Sequence, residues 1–243
     1  MRTGNPALKA STFDGYLQST EAKMTLEGTV FKSGILLVLL VSVAAICWKM
    51  ASDNPALVMP FVMAGGIGGL VLALITVFKR EAAPFTAPLY AVAQGVALGT
   101  ISLLFESAYS GIVMNAILLT AGVFIGLLFL YMTRIIKATE NFKLMVVSAT
   151  IGIGIVYIVT MVLGFFGTTI PYIHESGAIG IAFSGFVVAI AALNLVLDFD
   201  FIEQGAEKGC PKYMEWYGAF GLLVTLVWLY LEILRLLSKL RSK

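Results

Sequence analysis

Seven apolar stretches follow one another along the 243-residue chain, and each approaches the length of a membrane-spanning helix. About 20 predominantly apolar residues in helical form cross the hydrocarbon core of a bilayer. The stretches are too long for barrel strands and lack the two-residue alternation of such strands. The pattern therefore predicts an all-α, polytopic membrane protein with seven transmembrane helices. The stretches are Ser33–Lys49, Pro55–Phe78, Pro88–Phe105, Gly111–Thr133, Leu144–Gly167, Ala178–Leu197 and Trp216–Leu237.

The polar segments at the two ends give the predicted domain organisation. Residues 1–32 are predicted to form a polar cytoplasmic tail, and residues 33–237 a single transmembrane domain. Residues 238–243 form a predicted basic tail, in which Lys239, Arg241 and Lys243 would contact anionic lipid headgroups.

Composition supports the lipid bilayer as the main partner. Hydrophobic residues make up 59% of the chain and charged residues only 12%, whereas soluble domains have roughly 45–50% and about 25%. The net charge of +2 is too small to indicate a nucleic-acid partner.

Lysine and arginine in the short loops predict the orientation. Most of them fall on the side that holds the N-terminus, which we therefore place in the cytoplasm. Seven spans then put the basic C-terminal tail outside, against the rule. The conflict disappears if one stretch is re-entrant, which would leave six spans.

Small residues predict how the helices pack. Three glycine pairs have a spacing of four residues, which places each pair on one helix face and lets two backbones approach closely. The pairs are Gly65 with Gly69, Gly95 with Gly99, and Gly122 with Gly126. Tight packing is the simpler interpretation, and a smooth pore lining is the alternative. Cys47 and Cys210 are expected on opposite sides of the membrane, unable to form a disulfide.

No sequence motif indicates an enzyme or a cofactor. P-loop, dinucleotide-binding and paired-histidine zinc motifs are absent from the sequence. Ser184 could serve as an intramembrane nucleophile only with a base in reach, and the one histidine, His174, lies in a loop. We therefore expect a protein that is not an enzyme and has no cofactor.

Ionisable residues at membrane depth are costly, and each is therefore a functional candidate. One group ends the sixth stretch: Asn194, Asp198, Asp200, Glu203 and Gln204. The other is Glu232 in the last stretch, with Arg235 three residues further on as its expected ion-pair partner.

Each acid also has a structural interpretation. Asp200 and Glu203 can be the wet end of a helix, Asp198 a hydrogen-bonded structural acid, and Glu232 one half of a salt bridge. The functional alternative is a carboxylate-lined cation path, since hard cations such as calcium take oxygen ligands. Protons would block such a path, and it would open as they leave.

Short motifs in the last two helices resemble the Bax inhibitor-1/YccA-like family, also called the transmembrane BAX inhibitor motif family. They are Phe183-Ser184-Gly185, Leu197-Asp198 and Leu229-Tyr230-Leu231-Glu232. The opening Arg2-Thr3-Gly4-Asn5-Pro6 is similar to the bacterial branch.

The resemblance implies a seven-helix bundle with the last helix surrounded by the other six. It also implies a pH-sensitive calcium leak in the plasma (inner) membrane, gated by Asp198 and Glu232. We expect Asp200, Asn194 and Glu215 along the cation path, with transient calcium ligation by Asp198, Asp200 and Glu232. Leu197 and Glu232 replace the family's usual Tyr and Asp.

The spacing of the two gating acids raises a difficulty. If the turn lies near Gly209, Asp198 is about 16 Å and Glu232 about 34 Å from it at the helical rise. Either the sixth helix breaks before Glu203, or Glu232 has other partners, with Asp200 and Glu215 as the substitutes.

The family resemblance also supports a second hypothesis. The protein could be a non-transporting interaction partner that modulates a membrane protease or a stress response, with the leader 1–32 as the binding element.

Overall fold

A computed structural model describes residues 23–166 and 177–242 of the chain. This part contains seven α-helices, and all seven are long and apolar enough to cross a membrane. They are α1 (Leu26–Asp53), α2 (Val58–Phe78), α3 (Ala83–Ala108), α4 (Ile112–Met132), α5 (Glu140–Phe165), α6 (Ala178–Glu207) and α7 (Met214–Arg241). The predicted fold class is confirmed. His174 and most of the leader lie outside the described residues.

The first and the last helix of the chain extend further than the apolar pattern predicted. α1 begins at Leu26 because Thr25 caps it: its Oγ1 accepts a hydrogen bond from the Gly28 N–H at 3.0 Å. At the other end, α7 continues to Arg241. The predicted leader 1–32 and tail 238–243 therefore each contribute helical turns to the bundle.

α7 occupies the centre of the bundle. It packs against α1, α3, α4 and α6, whereas α2 packs mainly on α3 and α5 on α6. Its fully buried side chains include Tyr217, Phe220, Leu223, Leu229 and Leu234. The central position implied by the resemblance is confirmed, but four helices, and not six, form the main contact surface of α7.

Successive helices run in opposite directions. We name the side on which α1 begins the amino side, and the side on which α7 ends the carboxyl side. All seven helices are long and apolar enough for a full crossing of the membrane.

The basic end of α7 therefore lies on the carboxyl side, where protein groups bind its cations. Arg235 pairs with Glu232, Lys239 donates to Ser184, and Arg241 donates to the Ser110 carbonyl at 2.6 Å. These contacts give the three cations protein partners, of which Lys239 is buried and Arg241 is exposed.

The glycine pairs differ in their roles. The Gly95/Gly99 face packs on α1 so closely that a Cβ at Gly99 would overlap the Ala44 backbone, and Gly65 packs as closely on Ala97 of α3. Tight packing is thus confirmed for two pairs. It is wrong for Gly122 and Gly126, where a Cβ would meet nothing within 4 Å.

The two cysteines confirm the predicted separation. Cys47 lies near the carboxyl-side end of α1 and Cys210 in the α6–α7 turn on the amino side, and both are buried free thiols.

Candidate functional site

The two acids expected to gate together lie at different depths. α6 runs unbroken from Ala178 to Glu207, so the predicted break before Glu203 does not occur. Asp198 is fully buried and Glu232 is 2% exposed.

Two side-chain contacts to α5 fix the relative depths of these acids. Asn194 Nδ2 donates to Thr150 Oγ1 at 2.8 Å, and the Tyr157 hydroxyl donates to Glu232 Oε1 at 2.7 Å. With the helical rise, these contacts separate Asp198 from Glu232 by about 16 Å along the bundle axis. Glu232 therefore contacts Tyr157 and Arg235. The expected substitutes Asp200 and Glu215 have other partners.

Glu232 is held by α5 and by its own helix. Its Oε1 accepts hydrogen bonds from the Tyr157 hydroxyl at 2.7 Å and from Arg235 Nη1 at 2.9 Å. Arg235 also donates to the Tyr157 oxygen at 3.0 Å. The predicted ion pair of Glu232 with Arg235 is confirmed.

The two carboxylate oxygens of Glu232 differ in their hydrogen bonding. Oε2 is buried and accepts no hydrogen bond from the described residues. A buried oxygen without a donor costs free energy, and a proton or a cation would remove that cost.

A second cation lies near this carboxylate on the same face of α7. Lys239 Nζ donates to Ser184 Oγ at 2.9 Å and to the Gly180 carbonyl at 3.1 Å, both on α6. Lys239 is only 6% exposed. Its predicted role as a lipid-contacting tail residue is therefore wrong. We name Tyr157, Ser184, Glu232, Arg235 and Lys239 the carboxyl-side cluster.

Ser184 on α6 has a basic neighbour on α7 that the sequence did not indicate. A lysine amine lies within hydrogen-bond distance of its hydroxyl, where only histidine had been considered as a base. Lys239 donates to Ser184 and to a carbonyl, so the hydroxyl acts here as an acceptor.

The polar end of α6 forms a separate set of contacts on the amino side. Asp200 pairs with Lys143 of α5 at 2.9 Å and accepts from Gln204. Lys143 is 4% exposed. The predicted cation ligand Asp200 is thus already paired with a buried ammonium group.

Glu203, next to Asp200, joins α6 to the end of α4. It accepts hydrogen bonds from Tyr131 and Arg134. The hydrogen bond to Glu203 raises the pKa of the exposed Arg134 guanidinium above its usual value. Glu203 is therefore anchored by the protein, and is not simply a wet helix end.

Glu215 joins the start of α7 to the start of α1. Its Oε1 accepts from the backbone N–H and the hydroxyl of Thr25, both at 2.9 Å, and its Oε2 pairs with Lys32. Glu215 is fully buried and lies about 25 Å along α7 from Glu232. Both carboxylate oxygens of Glu215 already have partners in Thr25 and Lys32. Glu215 therefore links α1 to α7 and does not lie beside Glu232.

The predicted calcium ligands do not converge. Among the described residues, no group of three or more His, Cys, Asp or Glu side chains could hold a metal ion together. Asp198, Asp200 and Glu232 therefore form no shared metal site.

Comparison with known proteins agrees with the motifs in the last two helices. A family model described as Bax inhibitor 1 like matches residues 5–242. The chain belongs to this family. The resemblance inferred from the sequence is thereby confirmed. No curated protein and no solved structure gave a match.

The structure of this Bax inhibitor 1 like protein brings two of the three motifs that carried the resemblance to the same side of the bundle. Ser184 of Phe183–Gly185 and Glu232 of Leu229–Glu232 both lie in the carboxyl-side cluster, with Lys239 bonded to the first. Sequence reasoning missed Tyr157, Lys143 and Lys239. Lys239 could have been found, because its spacing of seven residues from Glu232 places both on one helix face. No sequence signal marked Tyr157 or Lys143.

Proposed function

We propose that this integral membrane protein is a proton-gated leak for cations, calcium among them, in the plasma (inner) membrane, with a cytoplasmic N-terminus. The observation that carries the proposal is the Glu232 carboxylate, which is buried at membrane depth with its Oε2 lacking a hydrogen bond from the described residues. Family membership is consistent with this function.

Protonation of Glu232 is the proposed gate. When the carboxyl is protonated it is neutral and offers no charge to a cation, which corresponds to the closed state. When it is ionised, Oε2 supplies the kind of hard oxygen ligand that calcium prefers. Arg235 opposes a cation at this point, but its side chain is 42% exposed and has room to turn away from the carboxylate.

Asp198 is the proposed second acidic residue along the cation path. It is fully buried on α6, nearer the amino side than Glu232 by about 16 Å along the axis. The two acids then act in series as separate proton-binding points. Asn194, one helical turn from Asp198, supplies a polar neighbour on the same face of α6.

Calcium efflux from loaded liposomes tests this proposal. Wild type should leak calcium with a rate that rises as the pH increases, because protons leave the gate. Glu232→Gln and Asp198→Asn should lose that pH dependence. Glu81→Gln is the matched control, since Glu81 is exposed at the start of α3, and it should behave like wild type. Equal flux and pH profile in wild type, Glu232→Gln and Asp198→Asn would refute the gating role.

A second candidate function has an observation of its own. The end of the leader is attached to the α6–α7 turn. The Met24 N–H donates a hydrogen bond to the Cys210 carbonyl at 2.7 Å, and the backbones of Lys23 and Pro211 form an isolated antiparallel β-bridge. This attachment supports a role in which the leader presents a binding surface to a membrane protease or a stress-response protein.

Removal of residues 1–22 separates the two functions. The interaction hypothesis expects loss of partner binding with calcium flux unchanged. Complete absence of flux in wild-type liposomes would favour it over the leak.

A further inference from the structure

An apolar cleft lies in the carboxyl-side half of the bundle between α1, α3, α4 and α7. Its volume is about 510 Å³. Carbon-rich side chains cover its wall, among them Leu40, Trp48, Leu98, Phe124 and Leu226. The space is many times the roughly 30 Å³ that one water molecule occupies in the liquid, so an occupant of considerable size fits.

The hydroxyl groups of the cleft are already bonded to protein. The hydroxyls of Ser102 and Tyr230 lie 2.6 Å apart and share a hydrogen bond. Thr120 Oγ1 donates to the Ala116 carbonyl at 2.7 Å. Water needs two to four polar partners to occupy a cavity favourably. The chemistry of the wall therefore selects an apolar occupant.

The cleft opens toward the lipid between α1 and α4. α1 packs mainly on α3 and α7, and α4 on α6 and α7. Val41 and Ile117 line the cleft and are also 61% and 48% exposed. The wall of the cleft is thus continuous with the surface that faces the bilayer.

A cation lies near the mouth on the carboxyl side. Arg241 Nη1 donates to the Ser110 carbonyl at 2.6 Å, three residues before Val113 in the cleft wall. Arg241 forms no ion pair with the carboxylates that the structure describes. The nearby Glu106 uses both oxygens to accept from the N–H groups of Gly111 and Val113 at the start of α4. The guanidinium charge is therefore available to a phosphate group.

We propose that this cleft is a binding site for one acyl chain of an anionic phospholipid from the carboxyl-side leaflet. The chain enters between α1 and α4 and covers Leu98 and Leu226, while Arg241 binds the phosphate and Trp48 lies at headgroup level. The site is independent of the proposed leak.

Photolabelling with a phosphatidylglycerol that carries a diazirine in its acyl chain tests the site in liposomes. Leu98 and Leu226 are only 5% and 8% exposed, so bulk lipid at the outer surface does not reach them. Labelling of these two positions is the expected result. Labels confined to the exposed faces of α1 and α4 would overturn the proposal.

Two filling substitutions and one matched control sharpen the test. Ala45 and Ala121 line the cleft and are exposed, so Ala45→Trp and Ala121→Trp should abolish labelling at Leu98 and Leu226. Ala64→Trp, at an exposed position of α2 outside the cleft, should leave it unchanged. If a filling variant fails to fold, the wild-type labelling pattern alone decides.

The headgroup contact has its own measurement. Diazirine phosphatidylglycerol should label the cleft more strongly than the phosphatidylcholine analogue, and Arg241→Gln should remove the difference. Equal labelling by both lipids in wild type would overturn the role of Arg241. Stronger labelling by a free fatty-acid analogue than by phosphatidylglycerol would overturn the phospholipid as occupant.

Discussion

Tyr157 on α5 donates a hydrogen bond to Oε1 of Glu232 on α7 at 2.7 Å, and Arg235 binds both residues. α5 otherwise packs mainly on α6. This contact therefore joins a peripheral helix to the central one at the position of the proposed gate.

Tyr157→Phe should destabilise the protein because it removes one of the two donors to a buried carboxylate oxygen. Loss of a hydrogen bond to a charged buried group costs about 1–3 kcal/mol. Thermal unfolding in detergent would measure the difference. Tyr109→Phe is the control, since Tyr109 follows the last residue of α3 and is not one of the two donors to Glu232 Oε1. Equal unfolding midpoints for the two variants would contradict the expectation.

Glu215→Gln should have a larger effect. Glu215 is fully buried and pairs with Lys32, whose side chain is 13% exposed. Removing one partner leaves an uncompensated charge, at a cost of about 3–5 kcal/mol. The free energy of unfolding should fall by that amount. In Glu81→Gln, at an exposed position, it should change by less than about 0.5 kcal/mol. A small effect in both variants would mean that the contacts of Glu215 with Thr25 and Lys32 contribute little to the stability of the protein.

Two glycine substitutions should act in opposite directions. A Cβ at Gly99 would overlap the Ala44 backbone, so Gly99→Ala must separate α1 from α3 and should cost about 1–3 kcal/mol. Gly122 has open space around it, so Gly122→Ala should stabilise α4 by up to about 1 kcal/mol. Unfolding of both variants under one condition compares them directly. A Gly99→Ala protein as stable as wild type would show that the α1–α3 contact is looser than the distance to Ala44 indicates.

The Cys210 thiol should react slowly and at elevated pH. It is 1% exposed, and burial raises the pKa of the thiol above its ordinary value, with Lys208 partly opposing the shift. Only the thiolate attacks an alkylating reagent, so the rise of the alkylation rate should be displaced to higher pH than for a free thiol near 8.5 (roughly the unperturbed value).

Iodoacetamide labelling of a Cys47→Ser protein measures this reactivity. The control adds Cys210→Ser and Lys212→Cys, which places a thiol at an exposed position in the same turn. Identical rates and pH profiles at positions 210 and 212 would contradict the burial of Cys210.

The sequence by itself determined the class of the protein and its local contacts. Seven apolar stretches predicted seven helices because a bilayer admits backbone only when its hydrogen bonds are satisfied within the helix. Spacing along one helix predicted the Glu232–Arg235 pair and the close-packing faces at Gly65 and Gly99, because helical geometry alone fixes which residues share a face.

Only the tertiary structure decided which helices bring their polar groups together. The partnership of Tyr157 with Glu232 and that of Lys143 with Asp200 depend on the rotation and axial register of separate helices. Those quantities arise from the packing of whole helix surfaces, which no single stretch encodes. For the same reason only the structure decided between the two arrangements that the sequence left open for Asp198 and Glu232, and it places them at different depths. The cleft between α1 and α4 left no pattern in the sequence.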